Sequence, residues 1–386
     1  MANNSEIYLQ LVELSGHIVA EGTWSATLPA NCLYQCAHLA KPGHQCRLLQ
    51  GSWEISPITL LAALDLRFGI CIQVVWLSSS AFYIGSQRHA FAAMKMDGSV
   101  VTWGGRAYWG GAGCGGDSSV VAQLLMEGVV KVRGSSTAFA AIKADGSVVT
   151  WGMAAYGGDS SLVAPLLTEG VVHVCGNSKA FAAIKADGSV VTWGNAICGG
   201  DSSSVAPLLT GGVVQVCASS KAFVVITADG NVVTWGNADC GGDSSAVASL
   251  LTTGVIQVCA SLNAFVAITA DGNAVTWGNA ACGGDSSAVA PLLMEGVVQV
   301  CASLKAFAAI KADGSVVTWG DADCGGDSSA VAPLLTEGVV QVCGSSKAFA
   351  AITVDGCSDV GHCRLWWQFF CGCSTSDGGR CAGLWK

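Results

Sequence analysis

Charged residues are scarce in this chain. Asp, Glu, Lys and Arg make up 12% of its 386 residues, about half the share found in ordinary soluble domains. The formal net charge is -9, and Lys and Arg nowhere form a run. A basic surface that follows a nucleic-acid backbone or an anionic membrane is therefore excluded, and we expect neither nucleic acid nor a membrane as a partner.

Long hydrophobic runs are also missing. Hydrophobic residues make up 51% of the chain, but Gly and Asp interrupt them well before the ~20 residues that a membrane-spanning helix needs. The opening MANNSEIYLQ lacks the charged-then-apolar order of a secretory signal. The sequence therefore predicts a cytoplasmic or nuclear protein.

Glycine and cysteine, in contrast, are abundant. There are 50 Gly and 19 Cys, and this share of Gly is about twice the usual one. Many glycines beside few charges are typical of β structure with many turns. The cysteine count is odd, and many of these residues recur at the spacing of an internal repeat. We therefore expect small buried thiols in the repeats and no disulfide framework.

An internal repeat organises the chain. The segment AFAAIKADGSVVTWG occupies 180–194 and recurs unchanged at 138–152 and 306–320. Looser copies begin at Ala90, Ala222, Ala264 and Ala348, and the closing tryptophans Trp151, Trp193, Trp235, Trp277 and Trp319 follow one another every 42 residues. Such a period indicates one supersecondary unit repeated along the chain. The large rings of the repeated tryptophans are predicted to pack between neighbouring units.

Each repeat contains three short predicted strands. In one copy they cover 171–175, 180–185 and 189–193. The pair Asp187-Gly188 predicts a type I′ hairpin, in which both central residues have positive φ. In the GGDSS segment that follows, the Asp is predicted to cap a turn, and Pro207 limits the next stretch to one helical turn or an apolar loop.

The repeats must stack, because three strands cannot bury both of their faces alone. The terminal copies lack the polar caps of an open stack, which favours a ring. The W-G strand ends, the D-G-x-V turns and the internal Gly-Gly resemble the regulator-of-chromosome-condensation repeat family of β-propellers. Here GGDSS replaces the family's Gly-Gln-Leu-Gly turn and the period is shorter. The resemblance implies a mainly β chain with a propeller of three-stranded blades over 77–356, seven in number or, alternatively, six closed by the strand at 99–103.

Residues 1–76 show a different pattern. A hairpin over 7–20, an amphipathic helix with apolar residues at i, i+3, i+4 and i+7 from Leu33, and two further strands predict a small α+β domain. The segments LSG at 14–16 and RLLQG at 47–51 resemble those of the ubiquitin-like β-grasp family. This resemblance implies that Leu14, Leu49 and Val75 form an apolar interaction patch. No diglycine follows, so conjugation to other proteins is not implied.

No metal, cofactor or catalytic site is predicted. The thiols and imidazoles of Cys32, Cys36, His38, His44 and Cys46 fall on different faces of a helix and a strand, whereas zinc needs convergent ligands. The irregular tail, 357–386, is rich in Cys but lacks paired C-x-x-C spacing. Because no Ser/His/Asp set, Cys/His set or phosphate loop is recognisable, the chain is not expected to be an enzyme.

These features favour a non-catalytic protein–protein interaction scaffold with its partner on a propeller face. The β-grasp resemblance implies a link to the ubiquitin system and binding to ubiquitin receptors. The propeller resemblance leaves two alternatives: a guanine-nucleotide exchange regulator of a small GTPase, or the substrate-recognition part of a ubiquitin ligase. Fold alone does not decide between these functions.

Overall fold

The structure is a computed structural model of the whole chain. It describes residues 6–28, 30–41, 46–51, 53–55, 59, 61–64, 70–76, 83–86, 90–95, 97–104, 115–252, 254–354 and 365–371. His44 and most of the Cys-rich tail lie outside these residues. None of the helices in the described part of the chain is long and apolar enough to span a membrane.

The chain divides into two compact units. The first consists of Met1–Asp229 and Val233–Asn237, and the second of Gly230–Val232 and Ala238–Lys386. The first unit holds an N-terminal sheet with one α-helix and the earlier repeats. The second unit holds the later repeats.

A five-stranded mixed sheet forms the N-terminal part. Its elements are β1 (Glu6–Glu13), β2 (Ile18–Ser25), α1 (Asn31–Ala40), β3 (Cys46–Gln50), β4 (Trp53–Ile55), a 3₁₀-helix (Leu61–Ala63) and β5 (Cys71–Trp76). The strand order is β2-β1-β5-β3-β4, with β1 and β5 parallel and the other pairs antiparallel. Helix α1 buries Leu33 and Ala37 against Leu9, Leu48 and Val74 of the sheet. The predicted amphipathic helix is therefore present.

The repeats form three-stranded sheets. In chain order their strands are β6 (Tyr83–Ser86), β7 (Ala90–Met94), β8 (Val100–Gly104); β9 (Val129–Gly134), β10 (Ala138–Lys143), β11 (Val148–Gly152); β12 (Val171–Gly176), β13 (Ala180–Lys185), β14 (Val190–Gly194); β15 (Val213–Ala218), β16 (Ala222–Thr227), β17 (Val232–Gly236); β18 (Val255–Ala260), β19 (Ala264–Thr269), β20 (Ala274–Gly278); β21 (Val297–Ala302), β22 (Ala306–Lys311), β23 (Val316–Gly320); and β24 (Val339–Gly344), β25 (Ala348–Val354), β26 (Leu365–Cys371). The described residues thus form seven such sheets. The prediction of a mainly β chain built from three-stranded units is confirmed.

Short 3₁₀-helices connect each sheet to the next. They cover Ser119–Leu125, Ala154–Tyr156, Ser161–Leu166, Ala196–Cys198, Ser203–Leu208, Ala238–Cys240, Ser245–Leu251, Ala280–Cys282, Ser287–Leu292, Ala322–Cys324 and Ser329–Leu334. Pro207 lies inside one of them. Of the two alternatives predicted after GGDSS, one helical turn or an apolar loop, the structure has a helix, and at six or seven residues it is about two 3₁₀ turns long.

The middle strand of the repeat sheets is buried on both faces, except in the first sheet, where Phe91 of β7 is 38% exposed. Along β13, the side chains from Ala180 to Ile184 are 0–1% exposed. Ala180, Ala182 and Ile184 pack against the following sheet, whereas Phe181 and Ala183 pack against the preceding one. Small residues on one face thus leave room for the Phe of the next sheet, which explains why AFAAIK recurs.

The hairpin turn differs from the prediction. No residue other than Gly has positive φ in the described chain, so Asp187 cannot be a central residue of a type I′ turn. Instead, Gly188 N–H donates to Lys185 O and Lys185 N–H to Ser189 O, both at 2.9 Å. This is a three-residue loop with a type I turn, and Gly188, with φ of 77°, forms the bulge. The type I′ prediction was wrong because Asp-Gly fits either loop.

The last sheet is completed from the tail. Its third strand, β26, pairs with β25 from Ala348 opposite Cys371 to Val354 opposite Leu365. The V-T-W strand of the other repeats is absent here, so β26 takes its place. One strand therefore lies within the segment for which no regular structure was predicted.

Candidate interaction surfaces

The repeated tryptophans are structural side chains and do not form a surface. Trp151, Trp193, Trp235, Trp277 and Trp319 are 3–4% exposed. Trp193 stacks on Phe181 with ring centroids 5.3 Å apart, and its Nε1–H donates to Gly157 O of the preceding repeat at 3.1 Å. The prediction that these rings join neighbouring repeats is confirmed.

The first two glycines of the connecting segment are required by close packing. A Cβ on Gly157, which has φ of 93°, would lie 2.5 Å from the Phe181 ring. A Cβ on Gly158 would lie 2.4 Å from the backbone of Gly152. The Gly-Gly motif is thus explained by the interior of the repeat and implies no ligand.

The repeated aspartates cap turns, as predicted. In every copy the carboxylate accepts the backbone N–H two residues later at 2.8–2.9 Å; these residues are Asp117, Asp159, Asp201, Asp243, Asp285 and Asp327. These hydrogen bonds hold the pKa of each carboxyl below its usual value. Within the described residues, no group of His, Cys, Asp or Glu could hold a metal ion.

The repeated cysteines fall into two classes. Cys198, Cys240, Cys282 and Cys324 are buried, as expected, whereas Cys175, Cys217, Cys259 and Cys301 are half-buried. Burial raises the pKa of Cys175 and of Cys259 to about 11, so both are protonated thiols at neutral pH. Cys343 is exposed, so the prediction that every thiol in repeat phase is buried was wrong there. Its neighbours Val340 and Gln341 in β24 are exposed as well.

A pair of leucines stands at the end of the longer connecting 3₁₀-helix of each repeat. The second Leu of each pair is at most 7% exposed, whereas the first is 51–59% exposed. The exposed members, which we call the leucine ridge of their unit, are Leu124, Leu166 and Leu208 in the first unit and Leu250, Leu292 and Leu334 in the second. Because a 3₁₀-helix has three residues per turn, adjacent side chains point in different directions. One Leu anchors the helix and the other faces solvent.

The leucine ridge is held on rigid backbone. The buried Leu209 accepts a hydrogen bond from Val190 N–H at 3.0 Å through its carbonyl, and the Thr192 and Ser202 hydroxyls lie 3.0 Å apart. Pro207 inside the same helix restricts φ. Binding to this ridge would therefore cost little backbone entropy.

The earliest connecting helices carry additional apolar side chains. Val120 and Leu162 occupy the same position in two successive repeats and are 97% and 98% exposed. Later repeats have small residues at this position: Ser204, Ala246, Ala288 and Ala330. The first unit therefore has the more apolar ridge.

Two of the three residues of the predicted N-terminal patch lie on one sheet face. Leu49 and Val75 are on the face away from α1, where they are diagonal neighbours on β3 and β5, and both are half-buried. Leu14, 72% exposed, lies in the turn that follows β1. The role of Leu14, Leu49 and Val75 in binding remains a prediction.

Polar contacts lie on the other face of the sheet. Trp76, which packs against the core beside α1, donates its Nε1–H to Glu13 Oε1 at 2.5 Å, and this hydrogen bond lowers the pKa of Glu13. The Lys41 ammonium lies 5.0 Å from the Trp76 ring centroid. Because successive side chains of a strand point to opposite faces, these groups do not border Val75.

Comparisons of sequence identify no relative. No protein-family model matches the chain, and no curated protein matches it.

Solved structures similar to the chain include β-propellers of the RCC1 type. Human WBSCR16 is 14% identical, with a TM-score of 0.41, over 72% of this chain and 88% of that one. Prp20p from Saccharomyces cerevisiae, described with its binding to Gsp1p and histones, is 12% identical, with a TM-score of 0.42, over 86% and 97%. Yeast RCC1 (Prp20) bound to Kap60 is 16% identical, with a TM-score of 0.38, over 58% and 68%. Likenesses at these TM-scores establish neither the fold nor the function of this chain.

Proposed function

We propose that the protein is a non-catalytic scaffold that binds a protein partner through the early part of its leucine ridge. The observation that carries this proposal is the exposure of Val120 and Leu162, at 97% and 98%, on the same two 3₁₀-helices that carry Leu124 and Leu166 of the ridge, each 52% exposed. Exposing such side chains is unfavourable in water by roughly 1.5–3 kcal/mol each relative to burial. A partner that covers them recovers that free energy.

The rest of the architecture supports the proposal. We infer that the seven sheets are blades of one closed β-propeller, because within each unit the Phe of one sheet packs against the middle strand of the sheet before it. A closed particle of this length has a radius of gyration of about 21 Å, whereas a line of sheets ~10 Å apart is longer. Small-angle scattering of the native chain distinguishes the two, and an elongated profile would rule out the ring.

The N-terminal domain is proposed as a second, independent module. The strand order β2-β1-β5-β3-β4 with one helix on a single face supports the β-grasp hypothesis. The surface of Leu14, Leu49 and Val75 would then bind ubiquitin receptors. Titration of the chain with a ubiquitin-binding domain tests this, with Leu14→Ala as the weakening variant. Unchanged binding in that variant would exclude the patch.

The two alternative functions remain open to direct tests. Nucleotide release from a panel of small GTPases tests the exchange regulator, and release accelerated by the chain would replace the scaffold proposal. Co-purification with ligase subunits tests the substrate-recognition role. No feature of the described residues favours either function over the scaffold.

A matched pair of variants tests the scaffold proposal. Val120→Ser with Leu162→Ser introduces the residue that Ser204 naturally provides at the same position. Ala288→Ser with Ala330→Ser makes the equivalent change in the later repeats. Quantitative capture of partners from native extract by the full chain should fall about tenfold or more for the first pair only. Equal capture by both pairs would contradict the proposal.

A further inference from the structure

The first strand of each repeat sheet carries an apolar residue whose exposure depends on the unit. It is the second residue of the strand, and we call these residues the first-strand row: Val130, Val172 and Val214 in the first unit and Ile256, Val298 and Val340 in the second. In the first unit Val172 is 8% exposed and the other two are half-buried. In the second unit the row residues are 54–63% exposed. The same position is thus covered in one unit and open to solvent in the other.

The strands themselves do not cause this difference. The first and fourth residues of β12 and of β21 are buried alike. The pairing of β12 with β13 passes from Val171 to His173, and that of β21 with β22 passes from Val297 to Gln299. The row residue between them is therefore the extra residue of a β-bulge in both strands. Because the two strands have the same pairing, a contact outside the strand must cause the difference in exposure.

The N-terminal domain provides that contact in the first unit. Residues of α1 line a cavity of about 330 Å³ together with Val130 and Val172. Thr27 lines a second cavity, of about 220 Å³, together with Val172 and Val214. The described N-terminal side chains that line these two cavities are uncharged: Thr27, Asn31, Tyr34, Gln35 and Cys46. The first-strand row is therefore a surface against which a folded domain already packs.

The row of the second unit has an acidic border. Val297 N–H donates to Gly272 O at 2.9 Å, which places the Asp271 loop beside Val298, and the same contact recurs one repeat later. Lys311 is a cation in the next hairpin. The exposed carboxylates of the segments along the row are Asp271, Glu295, Asp313 and Glu337. The open row of the second unit thus combines apolar side chains with negative charge.

The first unit has cations at several of the corresponding positions. Lys131 stands where the second unit has Gln299, and Lys143 stands where it has Thr269. His173 occupies another of these Gln positions. The uncharged covering face of the N-terminal domain suits that mixed charge, but it offers no cation to the carboxylates of the second unit. Charge complementarity therefore favours a cationic occupant there over the N-terminal domain of a second copy.

We propose that the first-strand row of the second unit binds a segment of another protein that combines apolar side chains with Lys or Arg. Apolar side chains of the segment cover Ile256, Val298 and Val340, which removes their surface from water. Its cations pair with the carboxylates at the border, so binding weakens as salt is added. This surface lies in the second unit, whereas the scaffold surface proposed above lies in the first, and either proposal can fail without the other.

Fluorescence anisotropy of labelled peptides with the full chain tests the site. Three peptides of equal length contain Leu with Lys, Leu with Glu, and Ser with Lys. We expect the Leu/Lys peptide to bind about tenfold or more tightly than the other two. Val298→Ser should weaken that binding about tenfold. Leu292→Ser is the control, because Leu292 is 52% exposed on the leucine ridge of the same unit, and it should change the affinity less than about twofold.

A second pair of variants tests the acidic border. Asp271→Asn with Asp313→Asn should weaken binding of the Leu/Lys peptide and reduce its dependence on salt. Asp285→Asn with Asp327→Asn is the control, since these residues are capping aspartates of the same unit. It should leave both quantities unchanged. Equal weakening by the two pairs would overturn the proposal, because it would indicate adsorption of a cationic peptide to an acidic chain.

Two further outcomes would contradict the proposal. The first is equal affinity for the three peptides, or no binding at millimolar concentration. The second is a concentration-dependent dimer of the chain alone that Val298→Ser dissociates in sedimentation equilibrium, because it would assign the row to a second copy. Chemical denaturation of each variant confirms that it is folded.

Discussion

The 3₁₀-helices Ser119–Leu125 and Ser287–Leu292 occupy the same place in repeats of the first and the second unit. Each is preceded by an Asp-capped turn and ends with one exposed and one buried apolar side chain. Yet Val120 of the first stands where the second has Ala288. On the first strand of the sheet, Lys131 stands where Gln299 does. The buried positions of the two repeats therefore carry the same types of side chain, whereas the positions that are not fully buried differ.

This difference separates the positions that determine the fold from those that we propose to determine binding. Positions that repeat without change, such as the Phe–Trp pair and Gly-Gly, are accounted for by packing within and between sheets. Positions that change are exposed or line a cavity, and they change to more apolar or more basic side chains in the early repeats. The binding proposed for the leucine ridge depends on residues that depart from the repeat. Substitutions at repeated positions and at departing positions should therefore have different effects.

The largest effect is expected for a repeated tryptophan. Trp235→Ala removes a ring 3% exposed, its stacking on Phe223 and its hydrogen bond to Gly199 O at 3.0 Å. The free energy of unfolding should fall by about 3–5 kcal/mol. Trp103 occupies the same position in the first sheet but is 43% exposed, so Trp103→Ala should cost only about 1–2 kcal/mol. Urea denaturation measures both, and equal losses would show that the loss of stability does not depend on the burial of the ring.

A repeated glycine should come next. Gly157→Ala combines strain at φ of 93° with a clash against Phe181, and we expect a loss of about 2–4 kcal/mol. Gly212 has φ of 74° but nothing within 4 Å of an added Cβ. Gly212→Ala should therefore cost only the conformational strain, about 1–2 kcal/mol. Thermal unfolding of the two variants separates the clash from the strain.

Replacing a residue that departs from the repeat should raise the free energy of unfolding, whereas the two changes above lower it. Lys131→Gln restores the residue of the later repeats and should raise the free energy of unfolding at pH 7 by about 2 kcal/mol. The folded pKa of Lys131, about 8, is below its unfolded value, so the penalty is present below pH 8 and is relieved as pH rises to about 10. The gain of the variant over the wild type should shrink over that interval. A constant gain would mean that charge is not the cause.

The smallest effect concerns the capping aspartates. Their folded pKa values are lowered, so the stability they contribute is present at neutral pH and is lost as pH falls through the folded pKa. Asp201→Ala should cost about 1 kcal/mol at pH 7 and little at pH 2. Asp201→Asn keeps an acceptor oxygen without titrating, so its stability should vary less with pH. Urea titrations at both pH values test this.

Features that recur from repeat to repeat could be predicted from the sequence. The strands, the Asp caps and the role of Trp193 follow from patterns that recur. The Asp187-Gly188 loop type was wrong because two loops share one dipeptide. The leucine ridge was missed because VAPLL is uniformly apolar, and only three-residue helical geometry separates its two leucines. Lys131 and His173 could have been found by aligning the repeats and looking for the column that changes.

The central claim is that partner binding uses residues that depart from the repeat. Hydrogen exchange of the native chain, with and without a captured partner, tests it most directly. We expect the partner to add protection of the backbone amides over 119–126 and 161–167 and none over 287–294 and 329–335. Equal protection of all four segments, or protection of the later pair alone, would contradict it.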